Sequence, residues 1–172
     1  GTNLTTENLT CWNQSTADVD NDNVKNIYNW YKNSAPIMAL NMPFEANGSE
    51  TTVAKDYSGN GNTGTVSGAT FSSSSGYDGK GAYSFDGNSD YIATSSSINI
   101  TGDKFTASAW VKPTAVGSYK TVFSNGPGGV DLVWAMNLGP ASYNVYVNFY
   151  NTSGTLAQPI YNQYLPTTSW SH

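Results

Sequence analysis

Two short stretches set oxygen donors at intervals that suit a hard cation. Asp18, Asp20 and Asp22 alternate along one run, and Asp56, Ser58 and Asn60, followed by Gly61, repeat the first positions of a calcium loop. The twelfth position of the second stretch is Ser67 rather than a bidentate Glu, so it is not an EF-hand. Both stretches are candidate calcium sites, and Asp86, Asn88 and Asp90 form a third cluster of the same kind. Asp, Asn and Gly also gather in tight turns for local reasons, because their side chains bond nearby amides. Each cluster therefore carries two readings, a metal site or a turn.

A second candidate is a ladder of amides and phenols. Asn144, Tyr146, Asn148 and Tyr150 alternate along one stretch, opposite Tyr143, Val145, Val147 and Phe149. Aromatic rings stack on the apolar faces of sugar rings and amides bond their hydroxyls, so this face suits glycan binding. Tyr is also enriched at protein interfaces, which leaves a subunit contact as the other reading.

Catalytic chemistry finds little support. The only Glu residues are Glu7, Glu45 and Glu50, none in an alternating acidic strand, so the paired carboxylates of glycoside hydrolysis are not evident. The single His is His172, and there is no Gly-x-Ser-x-Gly and no phosphate loop. The expectation is a non-catalytic protein.

Composition narrows the class. The chain has 172 residues, a net charge of -5, 13% aromatic residues and only 11% charged ones, and its seven basic residues are all Lys. A nucleic-acid footprint would need clustered Lys and Arg. No apolar run is long enough to span a membrane. Twelve Tyr and five Trp exclude a simple disordered tail. Six Asn-x-Ser/Thr acceptors, at Asn3, Asn8, Asn13, Asn47, Asn99 and Asn151, suit an extracellular, glycosylated surface. Cys11 has no internal partner and no basic neighbour to lower its pKa, and is expected to be a buried hydrophobe.

These residues must be positioned by strands. Expected strands are residues 37–44, 82–85, 91–94, 105–112, 121–124, 132–138 and 143–150, separated by Gly-, Asn- and Ser-rich turns. Within 105–112, Phe105, Ala107, Ala109 and Val111 share one face, and Thr106, Ser108, Trp110 and Lys112 share the other. No amphipathic helix is evident. Many short strands with turn signals predict an all-β fold, a sandwich or a jelly roll. Trp110 and Trp134 are expected to pack under loops. The first 35 residues differ, with a strand through Leu9, Cys11 and Trp12, an acidic loop, and a strand from Val24 to Tyr31.

The series Pro43-Phe44-Glu45, 56–62, 65–69, 79–87, Asp90-Tyr91-Ile92 and 105–111 resembles the laminin-G-like, concanavalin-A-like jelly roll of secreted bacterial and archaeal surface proteins. The resemblance covers roughly residues 37–172 and divides the chain into 1–35 and 36–172. The first part resembles a piece of an immunoglobulin-like surface repeat, with Cys11 and Trp30 on core strands and Trp12 in the same core. Ser169-Trp170-Ser171-His172 resembles a block that opens a mid-domain strand, which implies an incomplete jelly roll and an open edge. The leading expectation is a structural or adhesive cell-surface protein that self-assembles as a filament or surface-layer subunit. Its partners would be other copies or other surface proteins, with the edge completed by strand sharing, the segment 1–10 being one donor. The alternative is a calcium-dependent, lectin-like carbohydrate-binding module.

Overall fold

The computed structural model describes residues 10–20, 24–45, 49–94, 98, 105–114, 118–125, 134–139, 144–150, 156–157, 160–166 and 168–172, and of 144, 150, 156–157 and 160–164 only the backbone. Every regular element among them is a strand, and every pairing is antiparallel.

The start of the chain departs from expectation. Residues 10–20 are exposed and carry no strand, Trp12 is 78% exposed, and Cys11 is an exposed free thiol rather than a buried one. Residues 24–30 form no ladder, and Trp30 is exposed as well, so neither Trp belongs to a core. The physical reason is a lack of cover, since two strands need a third layer to bury their apolar face. What forms instead is a minimal hairpin, β1 (Tyr31–Lys32) with β2 (Ala35–Pro36). Asn33 and Ser34 between them both take positive φ, as a two-residue hairpin turn requires.

Residues 37–44, apolar enough to suggest a strand, join no ladder either. Pro43 removes one amide donor, and the other backbone groups find partners outside any ladder. Ile37 N donates to Trp30 O (2.8 Å), Tyr57 N to Asn41 O (2.8 Å), and Asn41 Nδ2 to Tyr28 O (3.0 Å). Lys25 Nζ meets Glu45 Oε2 at 2.7 Å, where the Glu45 side chain is largely buried.

Beyond this strap lie β3 (Val53–Ala54), β4 (Gly64–Ser67), β5 (Thr70–Ser72), β6 (Ala82–Ser84) and β7 (Tyr91–Thr94). They make a three-stranded sheet in the order β3-β4-β7 and a hairpin β5-β6. Ala54, Ala69 and Ala82 are buried, and the larger volume is filled by Tyr83 against Phe44 (5.0 Å, edge-on) and Phe71 (5.3 Å). The Tyr83 hydroxyl donates to Glu50 O at 2.8 Å, which satisfies the polar tip of a ring used as core.

The second sheet comprises β8 (Lys120–Asn125), β9 (Trp134–Leu138), β10 (Asn144–Tyr150), β11 (Leu156–Ala157) and β12 (Ile160–Tyr164), ordered β11-β10-β9-β8 with β12 also on β10. The alternation anticipated for 143–150 is realised in facing but not in burial, since Phe149 stays exposed while Ala135 and Asn137, on the opposite face of β9, are buried. Leu138 lies opposite Val145, Met136 opposite Val147, and Trp134 opposite Phe149, with Phe123 of β8 opposite Met136. Such cross-strand apolar pairs are the stabilising unit of a sheet, each contributing about 0.2–1 kcal/mol. A register shift between Thr121 and Phe123 leaves Val122 as the extra residue of a bulge.

Residues 105–111 lie over this apolar face. Phe105 packs on Trp134 (5.0 Å) and Phe149 (6.2 Å), and Phe105, Thr106 and Ala107 close one side of a crevice of about 310 Å³. Burial alternates along the segment as its sequence implies, with Ala107, Ala109 and Val111 turned in and Thr106, Ser108, Trp110 and Lys112 out. It forms a single bridge rather than a full strand, Val111 with Ser171, sealed by amide-to-carbonyl bonds of 2.9 Å in both directions.

Candidate functional site

The sheet β8-β9-β10 turns its other face toward amides and phenols. Tyr146 lies opposite Asn137 and Asn148 opposite Ala135, while Thr121 and Ser124 of β8 lie opposite Asn137 and Ala135. The side chains of Asn144 and Tyr150 lie outside the described residues. Asn137 is buried, and its Oδ1 accepts the Thr121 hydroxyl at 2.8 Å. The Tyr146 ring is half-buried and fixed from two sides. Tyr119, itself 60% exposed, meets it edge-on at 5.5 Å, and a Cβ on Gly139 would stand only 2.2 Å from Tyr146 Cε2. Glycine at 139 thus admits the ring, and the sheet presents a rigid phenol beside hydroxyls and amides.

The loop 56–62 does gather the residues singled out there. Asp56 is 7% exposed and accepts four bonds, from Asn41 N (3.0 Å) and Ser58 N (2.8 Å) on Oδ1, and from Ser58 Oγ (2.7 Å) and Asn62 N (2.9 Å) on Oδ2. Ser58 Oγ accepts Asn60 N at 3.1 Å, and Asn60 Nδ2 donates to Met38 O at 2.9 Å. Burial pushes the Asp56 carboxyl up. The Ser58 hydroxyl and the amides of Ser58, Asn41 and Asn62 outweigh that and hold it below the ordinary carboxylate value. In this conformation the carboxylate organises the loop, and a cation placed on it would compete with four donors.

The acidic run behaves more simply. Asp18 Oδ1 accepts Asp20 N at 3.0 Å and both residues are exposed, while Asp22 lies outside the described residues. Asp86 Oδ1 accepts the amides of Asn88 (2.7 Å), Ser89 (3.0 Å) and Asp90 (3.2 Å), which lowers its pKa, and Asp90 Oδ2 accepts Asp86 N (2.9 Å). Among the described residues no three His, Cys, Asp or Glu side chains converge. Of the six glycosylation acceptors, Asn13 alone is described, exposed and accepting the Thr16 hydroxyl; Asn3, Asn8, Asn47, Asn99 and Asn151 lie outside. The Glu45 carboxylate is taken up by Lys25.

One cluster escaped the sequence reading. Trp110, expected to pack under a loop, is 45% exposed and stacks on Tyr77, which is 57% exposed. The ring centroids are 3.5 Å apart and the planes 10° from parallel, and the His172 ring lies 5.0 Å from Trp110. The outward phase of Trp110 in its alternating segment is the sequence signal for that exposure. Trp134, by contrast, packs against Phe105 and Phe123 on the inner face.

Antiparallel sheets and no helix among the described residues are the architecture of a concanavalin-A-like β-sandwich. The chain belongs to the concanavalin A-like lectin/glucanases superfamily, whose family model matches residues 86–172. No curated protein and no solved structure matches the chain. No helix among the described residues is long and apolar enough to cross a membrane.

Proposed function

We propose that the chain is a non-catalytic, extracellular adhesive module of a cell surface that binds carbohydrate on the outer face of β8-β9-β10. The observation that carries this reading is the Tyr119–Tyr146 pair, edge-on at 5.5 Å beside the Thr121–Asn137 bond. An exposed ring supplies a stacking surface, and hydroxyls and amides both donate to and accept from sugar hydroxyls. Membership of a superfamily named for lectins supports it. Replacing Tyr119 by Ala should weaken retention on immobilised oligosaccharides while leaving the thermal transition in place. Unchanged retention would reject this face.

A second reading, a self-assembling structural subunit of a filament or surface layer, is favoured by the open crevice under Phe105 and Phe149, both of which remain exposed. Contiguous exposed apolar surface marks association sites. Calcium enters both readings through Asp18 and Asp20, whose exposed carboxylates leave room for further oxygen ligands. Sedimentation velocity with calcium and with excess chelator separates the readings. Large species support assembly, and their dissolution by chelator supports a calcium role. A single 18.4 kDa species in both leaves the carbohydrate reading alone.

A further inference from the structure

We propose a second carbohydrate subsite, the Tyr77–Trp110 stack, which takes one neutral pyranose ring; this rests on the carbohydrate-binding reading above. Three separate parts of the chain build it. Tyr77 stands in a turn closed by Gly76 N to Lys80 O (2.7 Å) and Gly79 N to Gly76 O (3.1 Å). Trp110 precedes the bridge residue Val111, and the Val111–Ser171 bridge brings His172 to within 5.0 Å of the indole. A platform tied at three points is held in place before any ligand arrives, which lowers the entropic cost of binding.

Its geometry limits what it can hold. Parallel rings 3.5 Å apart form one two-layer stack, not two tiles side by side, so it offers a stacking surface the size of a single sugar. A terminal sugar or a single accessible unit fits, and an extended polysaccharide ribbon does not. Three residues on from Tyr77, Lys80 Nζ faces Asp78 Oδ2 at 3.5 Å, so that cation already has a carboxylate, while Lys112 lies two residues from Trp110 in the same outward phase. The chain has no Arg to grip a carboxylate or sulfate in two-pronged fashion, and its net charge is -5. Sialylated and sulfated sugars are disfavoured on both counts.

The test is an array of neutral, sialylated and sulfated oligosaccharides, probed with the full chain and with the variants Y77A, Y77F, Y77W and Y119A. Neutral glycans should bind, and Y77A should weaken them roughly two- to tenfold, the factor one aromatic stacking contact supplies. Y77F and Y77W, which restore a ring, should recover binding, a pattern that a general loss of folding would not give. Full binding by Y77A together with loss in Y119A overturns this subsite and leaves the carbohydrate reading intact. Preference for sialylated or sulfated glycans overturns the ligand class. Retention of no glycan overturns both.

Discussion

Replacing Asp56 by Asn probes the loop that joins the 24–45 strap to the sandwich. The carboxamide can keep its oxygen toward the amides of Asn41 and Ser58. Its NH2 then replaces Oδ2, where the Ser58 hydroxyl can turn to accept but the Asn62 amide meets another donor. One charge-assisted bond is lost and one N–H is left unpaired, which costs about 2–3 kcal/mol. For a chain of this length that lowers Tm by roughly 5–10 °C. Asp56→Ala strands all four donors and should cost about 3–5 kcal/mol. The dependence on pH has a definite sign. The folded carboxyl titrates below its unfolded value of about 3.9, so its contribution is complete above that value and is lost as pH falls through the lower, folded one. Urea unfolding of wild type and Asp56→Asn between pH 7 and pH 2 reads it directly. The gap should be full at pH 7 and close at the acid end. A gap that persists to the lowest pH would refute the assignment of the stabilisation to the ionised carboxylate.

Other perturbations follow from single contacts. Gly139→Ala places a Cβ 2.2 Å from the Tyr146 ring and should destabilise by about 1–3 kcal/mol, read as a lower thermal midpoint together with weaker glycan retention. Lys25→Met leaves the Glu45 carboxylate without its cation, and chemical unfolding should show a loss of about 1–3 kcal/mol. Burial first, and then the Glu50 charge, raise the Tyr83 pKa above 10, so in an ultraviolet pH titration one phenol should ionise after the exposed ones. Tyr83→Phe should abolish that late step. The stability Tyr83 contributes is present below its unfolded pKa of about 10 and lost as pH rises through the folded value.

The second sheet was legible because two signals agree there. Strict alternation in 143–150 and an apolar run in 132–138, separated by Gly139 and Pro140, point to the strands, and the pairs Met136–Val147 and Trp134–Phe149 lie on the apolar face. From Thr106 to Lys112 the inward and outward phases hold while one bridge replaces a ladder, so alternation there reports burial more faithfully than pairing. The 37–44 run misleads because apolar content carries no information about hydrogen-bond partners, which here are Asp56, Tyr28 and Trp30. The spacing of Asp56, Ser58 and Asn60 marks an organised loop but does not distinguish a cation from backbone amides as the occupant of the carboxylate. Of the candidate site, Tyr146 and Asn148 were visible through alternation, whereas Tyr119 and Tyr77 were not. Their roles depend on neighbours 27 and 33 positions away in the chain, a separation that no local pattern encodes.

Lys120 has a consequence for susceptibility to proteolysis. It is the last basic residue of the sequence, it lies within a strand paired to β9, and its ammonium is bound by the Gly87 carbonyl. The preceding one, Lys112, is followed by Pro113, a bond that trypsin-like proteases cut poorly. The whole β9–β12 region, carrying Tyr146 and most of the second sheet, therefore offers such proteases no cleavage point, and the one site at its border opens only when β8 leaves the sheet. The second sheet is thus shielded from trypsin-like cleavage by its composition and its strand pairing together.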